Sequence, residues 1–215
     1  MGKRHVGEVF SEWAESGRAD RMAEGHLINA KRAFQILNPE PGSHYLDIGC
    51  GNGYSVRWAA QLDSTLQAVG LDTSEGMIRH ARALSGEFDN CRFIHAPFPC
   101  PALRAGAFDS IFTMEVLYYM KDVSLALSAI RQLLKPGGKV VSIIDFYTEN
   151  PDSHDWPEKV ELTMQLHSIQ EWNDLFEAAG LRVLQQEQLK HPLAEGQTPD
   201  WQHTVGSLMT LATTR

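Results

Sequence analysis

The chain has 215 residues, 43% of them hydrophobic and 21% charged, which excludes a disordered polypeptide and supplies one sizeable core. Its net charge of −8, with no basic cluster, repels phosphate backbones and makes nucleic acid an unlikely main partner. No apolar run reaches the roughly 18 residues a spanning helix needs, so no membrane partner is expected.

Apolar residues at Val6, Val9, Phe10 and Trp13 predict a first helix, broken at Gly17. A second helix, from near Asp20, sets Leu27, Ala30, Phe34 and Leu37 on one face and stops before Pro39. Residues 1–40 thus read as an N-terminal helical cap on a single domain. A short strand at 44–48 runs into glycines, and 54–62 reads as a helix. Strand and helix then alternate: strand 66–71, helix 74–84 with Ser74 as N-cap, strand 91–95, a Pro-rich loop and strand 108–114. Helix 123–134 follows, stopped by Lys135-Pro136-Gly137-Gly138, and strand 139–144 is apolar enough to be covered on both faces. These elements make 41–145 the core. Residues 146–167 are polar and irregular and, together with the N-terminal helices, read as a lid over the acceptor side. In 168–215, Ser168-Ile169-Gln170-Glu171 is a capping box leading a helix to Gly180, and strands 181–188 and 204–213 close the chain. The alternation predicts a doubly wound, Rossmann-like, mostly parallel seven-stranded sheet with helices on both faces. No helix separates the final two strands, so the last runs antiparallel.

The run Leu46-Asp47-Ile48-Gly49-Cys50-Gly51-Asn52-Gly53-Tyr54 carries the chemistry. Glycines at alternate positions allow a sharp turn and let a ligand touch the main chain. The helix that follows presents free N–H groups. Asp72, nineteen residues after Gly53 at the end of the next strand, is placed to take ribose hydroxyls. A dinucleotide fingerprint would need glycine where Tyr54 stands. Asp47 would repel a pyrophosphate and suits an ammonium group. A nucleoside joined to an amino acid meets both conditions.

At these residues the sequence resembles the class I S-adenosylmethionine-dependent methyltransferases of small-molecule type. The first-strand run is similar to their first motif, and Val69-Gly70-Leu71-Asp72-Thr73-Ser74-Glu75-Gly76-Met77-Ile78 to their second-strand region. Phe108-Asp109-Ser110-Ile111 with Glu115-Val116-Leu117, and Leu134-Lys135-Pro136-Gly137-Gly138, resemble their fourth- and fifth-strand blocks. The resemblance implies S-adenosylmethionine as cofactor and S-adenosylhomocysteine as product. It also implies roles: Asp47 with the backbone of Gly49, Cys50 and Gly51 at the methionyl end, Asp72 at the ribose, Thr73 and Met77 at the adenine faces. Pro97 stands where the family carries an acid that reads the adenine amino group, so backbone at Ala96 or Phe98 would substitute, with Phe98 packing on the base.

A sulfonium already activates its methyl group, so the protein must chiefly place a nucleophile in line and exclude water. The switch point between the first and fourth strands is where Met114, Glu115, Tyr118 and Tyr119, then Asp145 and Tyr147, are expected to project. Tyr118, Asp145 and His154 are the candidate catalytic groups, His154 as a base in the lid segment. Trp13, Arg18, Arg21 and His26 could cap the cofactor. No histidine pair has metal spacing and no metal is expected; a divalent ion on Asp145, Glu149 and Asn150 is a lesser alternative. The opening Met1-Gly2-Lys3-Arg4-His5 lacks the apolar stretch of a secretory leader, and three unpaired cysteines read as reduced thiols, so a cytoplasmic location is expected.

Three rivals remain. A nucleotide-dependent oxidoreductase is opposed by Tyr54 and by Asp122 where a Tyr-x-x-x-Lys pair beginning at Tyr118 would need lysine. A non-catalytic cofactor-binding protein would carry the same glycines. A methyltransferase acting on RNA or protein is disfavoured by the charge and by Met114-Glu115-Val116-Leu117 in place of an Asn/Asp-Pro-Pro-Tyr tetrad.

Overall fold

The computed structural model describes residues 3–214, with the side chains of 19–23 left aside. Helix α1 spans Val6–Glu15 and α2 spans Arg18–Leu37. Helix α2 begins at Arg18, just before the expected start, because Gly17 at φ 68° provides a left-handed turn that lets the chain re-enter a helix at once. The core follows as β1 (His44–Ile48), α3 (Tyr54–Leu62), β2 (Gln67–Asp72), α4 (Glu75–Leu84), β3 (Cys91–His95) and β4 (Phe108–Met114). Then come α5 (Val123–Leu133), β5 (Leu134–Ile144), α6 (Trp156–Lys159), α7 (Ile169–Ala178), β6 (Leu181–Leu189), α8 (Trp201–Thr204) and β7 (Ser207–Thr214).

The strands form one seven-stranded sheet in the order β3-β2-β1-β4-β5-β7-β6. The first five lie parallel, and β7 runs antiparallel to both β5 and β6. Helices α2, α3 and α4 share one apolar cluster on one face, and α5 and α7 pack into another on the opposite face. Side-chain caps fix several helix starts: Ser74 accepts from Met77 N, Asp122 from Leu125 N, and Ser168 with Glu171 forms a reciprocal capping box.

Beyond shifts of one or two residues at α2, β2, α4 and β6, three regions differ from the sequence reading. The helix expected to reach 134 stops at Leu133; Leu134 pairs with Phe108, and the sheet resumes with Lys139 opposite Ser110 after a register shift. The last strand begins at Ser207, because Asp200 and His203 cap a helical turn and Gly206 at φ 85° turns the chain into the sheet. The 146–167 stretch contains the short α6 rather than loop alone.

Helix α1 lies across α4. Its Ser11 hydroxyl is 2.9 Å from that of Ser74, and a Cβ at Gly7 would stand 2.7 Å from the Thr73 carbonyl oxygen. Only glycine allows this approach.

Candidate functional site

The sheet order reverses between β1 and β4, so the loops leaving their carboxyl ends part and open a crevice. A cavity of about 310 Å³ fills it, walled by strand ends and closed by residues of α1 and α2. Twelve residues expected at the cofactor and the switch point line this cavity: Asp47, Gly49, Cys50, Gly51, Asp72, Thr73, Met77, Ala96, Pro97, Phe98, Met114 and Glu115.

The turn after β1 is tied to β2, with Gly49 N and Cys50 N donating to Leu71 O at 2.7 and 3.0 Å. Gly49 and Gly51 have φ of 73° and 52°. A Cβ at Gly49 would lie 2.2 Å from Val116 Cγ2, whereas one at Gly51 meets nothing within 4 Å. Packing therefore demands glycine at Gly49. Gly51 leaves free space beside main-chain atoms instead.

Two acids border that space. Asp47 is 3% exposed, accepts a hydrogen bond from Ser55 Oγ, and is pushed up to about 7 by burial. Asp72 accepts from Gly51 N at 2.9 Å and Ser74 N at 2.8 Å, and burial raises it despite those bonds. Among the described residues, no lysine or arginine pairs with either. Such a cavity is poised for a cationic ligand.

The end of β4 is shaped by Glu115, which sits at φ 58°. A non-glycine residue there stores about 1–2 kcal/mol. Three contacts hold it: its amide donates to Ile143 O at 2.9 Å, Oε1 accepts from Asp145 N at 2.6 Å, and Oε2 accepts from Tyr118 OH at 2.6 Å. Burial, then the neighbouring Asp145, raises the Glu115 carboxyl. Asp145, directly after β5, is buried and also raised, with His26 opposing the rise. His26 Nε2 stands 3.7 Å from Asp145 Oδ2, and Asp145 Oδ1 has no hydrogen-bond partner. His26 itself lines the cavity.

Other expected residues are elsewhere. Tyr118 is buried beneath the cavity wall and bonded to Glu115, while its neighbour Tyr119 lines the cavity and packs edge-on against Phe10. Tyr147 donates to Gly206 O and accepts from Gln188. His154 is exposed, with Nε2 3.1 Å from Thr148 O, outside the cavity lining. Glu149 accepts from Ile169 N at the start of α7 and so turns away from Asp145. The Arg18 guanidinium lies 3.9 Å over Trp13, and neither lines the cavity; the Arg21 side chain lies outside the described residues.

Of the two segments expected to lie over the site, 146–167 contributes no residue to the cavity lining. Gln165 N binds Tyr118 O at 2.7 Å and Leu162 is buried, which anchors the segment behind the wall. The N-terminal segment, the other one expected there, closes the cavity with His5, Val6 and Phe10. Their signal was the apolar stripe of α1, in which Val9 is buried while Val6 and Phe10 stay half-buried and face the cavity.

Comparison with known proteins agrees with this geometry. Residues 46–142 match the family described as Methyltransferase domain. A ubiquinone biosynthesis O-methyltransferase from Dinoroseobacter shibae is 36% identical over 138 residues, 63% of this chain and 54% of that protein. An O-methyltransferase from Pyrenophora dematioidea is 30% identical over 172 residues, 74% of this chain and 62% of its own length. The chain thus spans a little over half the length of these relatives. A Haloferax volcanii chain described as a methyltransferase, solved in complex with the Trm112 methyltransferase activator, superposes with a TM-score of 0.86 at 31% identity, covering 95% of this chain and 97% of that one. With the strand order, the glycine turn and the acid-lined crevice in place, the chain belongs to the class I S-adenosylmethionine-dependent methyltransferases.

Proposed function

We propose that the chain moves the methyl group of S-adenosylmethionine to a hydroxyl oxygen of a small, largely apolar acceptor. The observation that carries the cofactor half is the pair of buried acids, Asp47 and Asp72, neither in an ion pair with a lysine or arginine among the described residues, beside open space at Gly51. Asp47 and the amides of residues 49–51 would hold the methionyl end and Asp72 the ribose. Thr73, Met77 and Phe98 would flank the adenine, with backbone of 96–98 reading its edge where Pro97 offers no acid. When bound, the cofactor supplies a methyl group already activated by its sulfonium. The chain's residues orient the acceptor and exclude water, which is worth roughly 7–11 kcal/mol when alignment is good. Val6, Phe10, Tyr119 and Met120 give the acceptor side an apolar wall. O-methyltransferase relatives support oxygen as the acceptor atom. No helix among the described residues is long and apolar enough to cross a membrane, and a cytoplasmic setting fits the free thiols of Cys50, Cys91 and Cys100.

The test is release of S-adenosylhomocysteine with a panel of catechols and hydroquinones, alongside calorimetry of cofactor binding. Asp72→Ala is expected to weaken S-adenosylhomocysteine binding by roughly 2–3 kcal/mol, about 30- to 150-fold, through loss of charged hydrogen bonds. Unchanged affinity would remove the ribose role.

One observation favours a second reading. A relative that matches nearly the whole chain was solved with an activator protein, and a tRNA U34 carboxymethyltransferase from Pseudoalteromonas translucida is 30% identical over 139 residues, so in this reading the chain acts on a macromolecule together with such a partner. Turnover of tRNA or protein only in the presence of a Trm112-type partner, with the small hydroxyl panel inert, would establish it.

A further inference from the structure

We infer that His26, backed by Asp145, is the base that takes the proton from the acceptor hydroxyl. This rests on the small-hydroxyl reading above. Helix α2 is seated by Asn29, whose Nδ2 donates to Leu189 O at 2.8 Å and to Ser207 Oγ at 2.9 Å. His26 lies three residues earlier on the same face, which carries its imidazole over the end of β5. There Nε2 faces Asp145 Oδ2 at 3.7 Å, and one atom each of His26, Glu115 and Asp145 falls within 4.8 Å of the others. The imidazole is 22% exposed and the Asp145 carboxylate 2%, so the ring has a solvent edge and its acid has none.

Among the described residues, Asp145 Oδ1 has no hydrogen-bond partner, His26 is the group that forms an ion pair with Asp145, and Ser207 and His191 also favour its charged form. A buried carboxylate in that state stabilises a positive charge on its neighbour. Both oxygens of Glu115 accept hydrogen bonds, from Asp145 N and Tyr118 OH, which hold that carboxyl against the wall. Other titratable groups nearby are Tyr54 on α3, Tyr119 and Lys121 after β4, His191 after β6 and His5 before α1; burial and Glu115 push Tyr119 up, and no buried acid pairs with Lys121 among the described residues. Tyr54 is pushed far up by burial, His191 does not line the cavity, and His5 accepts from Gly7 N as the α1 cap. His26 is left as the cavity-lining ring with a buried counter-charge.

The step balances. The hydroxyl O–H bond breaks and its proton goes to a ring nitrogen of His26. The acceptor oxygen forms a bond to the methyl carbon while the carbon–sulfur bond breaks and its electron pair stays on sulfur. His26 then returns the proton to solvent through its exposed edge. Asp145 is a positioning residue, since it acts through His26.

The first measurement uses 4-nitrophenol with excess protein and S-adenosylhomocysteine near pH 6, following phenolate absorbance. The expected result is a rise in phenolate with the wild type and none with His26→Gln or Asp145→Asn. No rise with the wild type, or an equal rise with His26→Gln, overturns the proposal. The second is turnover of catechol across pH. The kcat of His26→Gln is expected to fall roughly 100- to 1000-fold with KM little changed, and the acid limb of the wild-type profile to vanish. Calorimetry with S-adenosylhomocysteine checks that each variant still folds and binds. Wild-type levels of catechol turnover in His26→Gln sink the base alone. Cofactor binding without turnover of any phenol by the wild type sinks the hydroxyl reading and the base with it. Loss of catechol turnover on chelation, restored by a divalent ion, replaces the base with metal activation and also overturns it.

Discussion

Gly51→Val is expected to abolish S-adenosylhomocysteine binding, by at least about 100-fold in calorimetry, while the protein stays folded. The expectation follows from what surrounds the missing side chain. A Cβ at Gly51 meets no protein atom within 4 Å and projects beside the cavity, so the new methyl groups take space that a ligand would occupy. The backbone penalty is modest but real: φ of 52° is left-handed, which costs a side-chain-bearing residue about 1–2 kcal/mol. For a domain of this size that lowers Tm by roughly 2–8 °C. Gly49→Ala should behave oppositely. Its Cβ would fall 2.2 Å from Val116 Cγ2, so the wall must move and stability drops sharply before binding is even measured. If Gly51→Val bound normally, the glycine turn would not be the cradle.

Cofactor affinity should strengthen as pH rises through 7, and the empty protein should weaken over the same range. Both trends come from Asp47, which burial pushes up to about 7. A carboxyl whose folded value lies above its unfolded value of about 3.8 favours the fold at low pH. That contribution is complete below about 4 and is lost as pH climbs through 7. The gap corresponds to roughly 4 kcal/mol at most. An ammonium group beside Asp47 favours the ionised form, so binding expels a proton at pH 6 and affinity rises up to about tenfold per pH unit until it levels above about 8. Calorimetry in buffers of different ionisation heat counts that proton directly. Asp47→Asn should raise the melting temperature of the empty protein at pH 8, flatten the pH dependence and weaken binding there. A wild type with no proton release between pH 6 and 7 would place the ammonium elsewhere.

The cofactor half of the cavity was legible in the sequence because local rules place it. A strand ending in alternate glycines must turn, and an acid ending the next parallel strand must stand beside that turn, so Asp47, Gly51 and Asp72 converge whatever the remote packing. The mostly parallel seven-stranded sheet and its antiparallel last strand followed from the alternation of elements and from the missing final crossover helix. The acceptor half was not legible, because it depends on contacts between distant segments. Asn29 meets Leu189 and Ser207 across about 160 and 178 residues of chain, and nothing local announces that this seats His26 over Asp145. The same holds for 146–167: its polarity suggested a mobile flap, but one buried leucine and a backbone bond to Tyr118 fasten it down. Tyr118 and Tyr119 show how little adjacency says, since one props up Glu115 and the other faces the cavity.

The closure of the crevice by α1, resting on α4 where Gly7 and Gly76 remove two side chains, separates two jobs in the chain. Under the proposed function, donor grip comes from sheet ends that cannot change without disturbing the core, whereas the choice of recipient falls to a few positions near the amino terminus and in the turn after β4. Mutation at Val6, Phe10 or Met120 can therefore redirect the enzyme to new recipients while the donor site persists, a route by which one scaffold diversifies.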